Sequence, residues 1–120
     1  MQLSALQEDF IRQHSLVVLS TVTSNIAPWS IIVEINKVDG DTLIITDNQM
    51  ETTQDNIKTN PNVCIIVTNI KDYSYMKIDG IVRYYESGEY FDYVKTLPWN
   101  VWYTPKWVLV VKIENIKEVV

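Results

Sequence analysis

Two rhythms of apolar residues share this chain, one with the 3.6-residue period of a helix and one with the two-residue period of a strand. Over residues 2–14, Leu3, Leu6, Phe10 and Ile11 recur at helical spacing, with Gln7, Glu8, Asp9, Arg12 and Gln13 on the other side. That predicts an amphipathic helix, and Ser4 with Gln7 is a capping-box pair that moves its start slightly later. Leu16, Val17, Val18 and Leu19, followed by Thr21, Val22 and Thr23, predict a strand over residues 15–23, buried on both faces because the run is nearly continuous. Ser24 and Asn25 signal a turn, with Asn25 suited to the left-handed region. Pro28 confines the start of the second strand to a sheet edge. Over residues 29–37, Ile31, Val33 and Ile35 share one face, and Ser30, Ile32, Glu34 and Asn36 the other. Asp39 and Gly40 sit in the tight-turn slot of a hairpin, and residues 42–46 form the third strand.

The polar stretch 46–61 lies between two apolar runs and reads as strand, tight turn, helix, strand. Asn48 followed by Glu51 has capping-box spacing, which predicts a short helix, and Pro61 ends it by Asn60. Such a turn aims free backbone N–H groups beyond the helix start, and Thr52 and Thr53 add hydroxyls, a combination that suits a phosphate. An ordinary capped helix with polar residues on its wet side accounts for the same pattern.

Residues 63–68 are the fourth strand and residues 73–85 a long fifth, with Gly80 inside it. Glycine there predicts a bulge or a close approach by another backbone or a ligand. Tyr90, Phe91, Val94 and Leu97 share one side of a helix over residues 86–97, weakened at its start by Gly88. Trp99, Trp102 and Tyr103 fall in a segment with neither period, suited to packing over a planar ligand or to sealing a subunit interface. Residues 107–114 form the last strand, with an extended tail to residue 120. Six strands with short connections and two or three short helices predict a mainly β domain over residues 1–120, closed as a small antiparallel barrel so that no edge is left exposed.

Composition narrows the function more than the fold. The 120 residues are rich in β-branched and aromatic types and carry a net charge of −5, which argues against non-specific nucleic-acid binding. No apolar run reaches membrane-spanning length, and the opening Met1-Gln2-Leu3-Ser4 does not read as a basic, hydrophobic leader, so a soluble cytoplasmic protein is the expectation. The single cysteine, Cys64, lies in the apolar run of the fourth strand and reads as a buried, reduced core residue. His14, the single histidine, stands near the end of the first helix and reads as a capping or surface group. One His and one Cys cannot close a structural zinc site, and neither a Gly-rich phosphate loop nor a nucleophile elbow occurs. If this is an enzyme, a bound cofactor carries the chemistry, and no catalytic side chain is marked.

Several phrases, taken in order, resemble the FMN-binding split barrel of the pyridoxamine 5′-phosphate oxidase-like superfamily, in particular the small FMN-binding proteins of anaerobic bacteria. Residues 16–23 resemble its first strand. Met50-Glu51-Thr52-Thr53-Gln54-Asp55-Asn56-Ile57 looks like the family's Met-x-Lys-Thr-x-x-Asn-Val, which holds the FMN phosphate. Met76-Lys77-Ile78-Asp79-Gly80-Ile81-Val82 resembles its glycine-containing strand, and residues 108–113 its last strand. The resemblance implies a six-stranded antiparallel split β-barrel of Greek-key type, a homodimer, and non-covalent FMN at the interface. It carries over Thr53 as a phosphate hydroxyl, with Asn56 and Met50 as neighbours. Ser30, Ile31, Ile32, Val33, Thr46 and Asp47 would line the isoalloxazine, and Trp99, Trp102 or Tyr103 could come from the partner chain. Two departures stand out. Thr52 replaces the family's usual Lys or Arg, leaving Lys77 as a candidate replacement cation, and the turn at Ser24-Asn25-Ile26-Ala27 lacks the family's Gly and Pro. The implied function is a flavin-dependent oxidoreductase or electron carrier, served by a redox partner protein or a nicotinamide donor. The alternative is a flavin-free dimer that binds haem or F420, or acts in protein interaction. With Arg12 and Arg83 its only arginines, the chain lacks the substrate-binding set implied for pyridoxamine phosphate oxidation.

Overall fold

The computed structural model describes residues 3–48, 50–100 and 105–119. A capped helix opens the chain: α1 spans Ala5–Gln13, Ser4 Oγ accepts from Gln7 N at 3.1 Å, and Gln7 Oε1 accepts from Ser4 N at 2.9 Å. The strands are β1 (Leu16–Val22), β2 (Pro28–Asp39), β3 (Thr42–Asp47), β4 (Asn62–Asn69), β5 (Ser74–Tyr85) and β6 (Trp107–Val119). Two further helices are α2 (Glu51–Thr59) and α3 (Glu89–Lys95), and Pro98–Asn100 forms one 3-10 turn. The strands are antiparallel and close into a barrel in the order β1-β2-β3-β6-β5-β4, with Val18 opposite Ile66 at the seam. Among the described residues no helix is long and apolar enough to cross a membrane.

The barrel interior is filled by alternate residues of every strand, and Ile11 of α1 and Ile57 of α2 pack into the same cluster. Outside the barrel, Ile44 and Val108 are buried against Val94 and Leu97, so α3 covers the β3–β6 face. β1 is not buried on both faces as its apolar run predicts: Val17, Leu19 and Thr21 point inward, while Leu16 is exposed. A single antiparallel layer has one core face, so continuous hydrophobicity here puts apolar residues on the outside. Cys64 follows the same rule. It is half-exposed on β4 rather than buried in the core. Leu6 departs from its helical pattern and faces solvent. Between β1 and β2 the left-handed residue is Ile26, at φ 62°, and not Asn25. A β-branched side chain there is strained.

Two irregularities shape the barrel. Asn36 is an extra residue in β2, between the pairs Ile35–Ile45 and Lys37–Ile44. Glu114 is an extra residue in β6, because Asp79 pairs with Asn115 and Gly80 with Ile113. Beyond that second bulge the tail does not stay unpaired. It continues as β6 beside β5 to residue 119, because the 12-residue β5 offers hydrogen-bonding groups along its whole length.

Candidate functional site

The site begins where β2 and β3 separate. β2 pairs with β1 from Pro28 to Glu34 but with β3 only over residues 35–39. At the parting point Asn36 Oδ1 accepts from Thr46 N at 2.9 Å and from Thr46 Oγ1 at 2.7 Å. A cavity of about 870 Å³ opens beyond it, in the size range of small-molecule sites. One wall is β2, with Trp29, Ile31, Ile32, Val33, Glu34 and Asn36. Thr46, Asn48, Met50 and the first turn of α2 form the opposite side, completed by Asn100 and Lys106.

The start of α2 differs from its expected form. Met50, not Asn48, is the N-cap residue, and no side chain caps the helix. Instead the Asp47 carboxylate, 2% exposed, accepts from Met50 N at 2.8 Å, and Asn48 turns away toward Asn100. The first intrahelical bond runs from Gln54 N to Met50 O, so the N–H groups of Glu51, Thr52 and Thr53 have no acceptor in the helix. All three residues line the cavity, and the positive end of the helix dipole faces the same space. Burial pushes the Asp47 carboxyl above the usual carboxylate range, while the Met50 N–H and the charge of Lys106 pull it down. Lys106 is positioned by its own backbone, whose N–H donates to Asp47 O at 3.0 Å.

Buried side chains hold this arrangement. Asn56 Nδ2 donates to Thr21 Oγ1 at 3.0 Å, which ties the underside of α2 to β1. Asn100 is 5% exposed, and its Nδ2 donates to Val94 O at 2.7 Å and to Thr46 Oγ1 at 3.3 Å. Asn100 Oδ1 accepts from Asn48 Nδ2 at 3.3 Å. Asn48 Oδ1 is shut off from solvent and has no partner among the described residues.

Of the residues named from the sequence, Ile31, Ile32, Val33, Thr46, Met50, Thr52 and Thr53 come together on this cavity. Asp47 and Asn56 lie behind it as supports of α2. Ser30 is not on its lining, and its hydroxyl bonds Ser20 Oγ at 2.8 Å across β1 and β2. Lys77 is not brought to the cavity. It pairs on β5 with Ile66 of β4, and its ammonium bonds Asp79 Oδ1 at 2.7 Å. Trp102 lies outside the described residues. The cation that does line the cavity is Lys106, one residue ahead of β6, which a search confined to the phosphate phrase and the glycine strand misses. Asn36 and Asn100 are missed as well. The first is a bulge residue inside an alternating strand, and the second stands in a segment whose tryptophans dominate the pattern.

Residues 3–119 match the family model described as pyridoxamine 5′-phosphate oxidase. No curated protein sequence matches the chain significantly. Among solved structures, HupZ of Group A Streptococcus is 20% identical with a TM-score of 0.88, over 98% of this chain and 94% of that one. An FMN-binding protein from Syntrophomonas wolfei is 21% identical with a TM-score of 0.72, over 94% of this chain and 83% of that one. An F420 reductase is 19% identical with a TM-score of 0.70, over 92% of this chain and 94% of that one. At such identities the likeness carries the fold.

Proposed function

The chain belongs to the pyridoxamine 5′-phosphate oxidase family, and we propose that it is a homodimeric flavoprotein that holds FMN without a covalent link in the cavity between β2 and α2. The observation that carries this reading is the joining of three features in one space: an apolar strand wall, an uncapped helix start and a lysine. Each answers one part of the molecule. Ile31, Ile32 and Val33 offer a surface for a flat ring. The free N–H groups of α2, with Thr52, Thr53 and Lys106, offer donors and positive charge for a phosphate. Lys106, arriving from the start of β6, takes over the charge that Thr52 lacks.

FMN supplies hydride or single-electron transfer when bound, and the chain's part is to hold, orient and shield it. The buried Asp47 carboxylate is engaged by the helix start, so it serves as a support and not as an acid or base. The role that follows is that of an electron carrier or flavin-dependent oxidoreductase. A second subunit is part of the proposal because the ring wall is open. Ile32 is 69% exposed and Trp29 40% exposed beside the cavity, and covering them would both bury apolar surface and shield the ring.

Titration by flavin fluorescence tests the phosphate assignment. FMN should bind at least roughly tenfold more tightly than riboflavin, because charge-assisted hydrogen bonds to the phosphate are the difference between them. Equal affinities would remove the phosphate from α2.

A further inference from the structure

The charges on the cavity lining are unequal. Glu34 of β2 and Glu51 at the start of α2 both line it, against one lysine, Lys106. Both glutamates are exposed, and neither is in an ion pair among the described residues. Glu34 Oε1 accepts from the Ser15 hydroxyl at 3.4 Å, a neutral contact that leaves its charge uncompensated. The lysines of the two elements are placed elsewhere. Lys37 of β2 lies over the Tyr93 ring, 4.9 Å from its centre, and Lys58 of α2 stands in the last turn, at the far end from Glu51.

A phosphate held by Lys106 and the α2 N–H groups uses up that ammonium and brings negative charge of its own. What then remains on the lining is uncompensated negative charge beside the apolar wall, on a chain that carries −5 overall. A molecule that exchanges electrons with a ring in this cavity must approach that charge. Opposite charge speeds such an encounter and like charge slows it, by on the order of tenfold or more at low ionic strength. Resting on the flavin reading above, we propose that Glu34 and Glu51 are specificity-determining residues that set the charge of the redox partner. Cations are favoured and polyanions are turned away. A nicotinamide dinucleotide carries an ionised pyrophosphate and belongs to the second group, so the partner class that fits is a cationic electron carrier. The same carboxylates oppose the arrival of electrons on a nearby ring, so they also lower its reduction potential.

The experiment oxidises the FMN-loaded, photoreduced full chain with two metal complexes of opposite charge, tris(phenanthroline)cobalt(III), a cation, and ferricyanide, an anion. Each complex takes a single electron, so a pair is reduced for every flavin oxidised, and the flavin's protons leave to water. Measured against the same reactions of free reduced riboflavin, the parent should favour the cobalt complex roughly tenfold or more at low ionic strength, and the preference should fade as salt is added. The double variant Glu34→Gln, Glu51→Gln should lose most of that preference, and the midpoint potential of its bound FMN should rise. Both side chains are exposed, so the fold does not depend on them. A second double variant, Glu89→Gln with Glu118→Gln, changes the net charge equally but away from the lining, and should move neither readout appreciably. No preference in the parent, or an equal loss in both double variants, would overturn the assignment while leaving the FMN site standing. An unchanged potential in Glu34→Gln, Glu51→Gln would overturn it too, since the carboxylates would not reach the ring. Failure of the parent to retain FMN would remove the FMN site, and this assignment with it.

Discussion

Lys106→Glu binds FMN roughly thirtyfold more weakly than the parent, while its affinity for riboflavin changes little. Lys106 is the only cation among the described lining residues, where Glu34 and Glu51 already contribute negative charge and the chain as a whole carries −5. A phosphate entering this cavity therefore depends on one lysine and on the free N–H groups of α2. Lys106 is exposed, so the effect shrinks as salt is added, and Lys106→Gln falls between parent and Glu. Fluorescence titrations with both flavins at low and high ionic strength measure this. An unchanged FMN affinity in Lys106→Glu would place the phosphate elsewhere.

Gly80→Ala loses about 3 kcal/mol of stability, a fall in melting temperature of roughly 10 °C for a chain of this size. The reason is space and not backbone conformation. A Cβ at Gly80 would lie 2.6 Å from Val111 Cγ1 and 2.9 Å from Lys112 O. Val111 is fully buried and stiff at χ1, and a strand carbonyl cannot step aside without opening the ladder beside the Glu114 bulge. Gly40 is the opposite case: its φ is +63° and nothing lies within 4 Å of its missing Cβ, so there the requirement is conformational. Urea denaturation measures the Gly80 effect. A loss below about 0.5 kcal/mol would mean that β5 and β6 part easily at the bulge.

These two positions show what local pattern can and cannot carry. The bulge near Gly80 was legible because a lone glycine inside a twelve-residue strand has few other uses. The six strands were legible because β-branched residues, alternation and turn residues agree. The α2 side of the cavity was legible as a phrase around Thr52 and Thr53, although the helix start there uses Asp47 and not an Asn48 capping box. Capping-box spacing fixes which residues can pair, but Asn48 has a competing partner, Asn100, 52 positions along the chain. Lys106 and Asn100 were illegible for the same reason. Lys106 reaches the cavity because β6 pairs with β3, and Asn100 because Val94 O and Thr46 Oγ1 hold its amide; no local period records either. Lys77 illustrates the converse. It sits in a family-like phrase, yet the face of β5 it occupies leads it to Asp79.

The proposed flavin site is the cavity between β2 and α2. The most direct test is the absorption spectrum of the protein after loading with FMN and desalting. A retained two-band flavin spectrum, at about one FMN per chain, is expected if FMN occupies this cavity. A colourless protein after desalting, with no flavin recovered on denaturation, would contradict it.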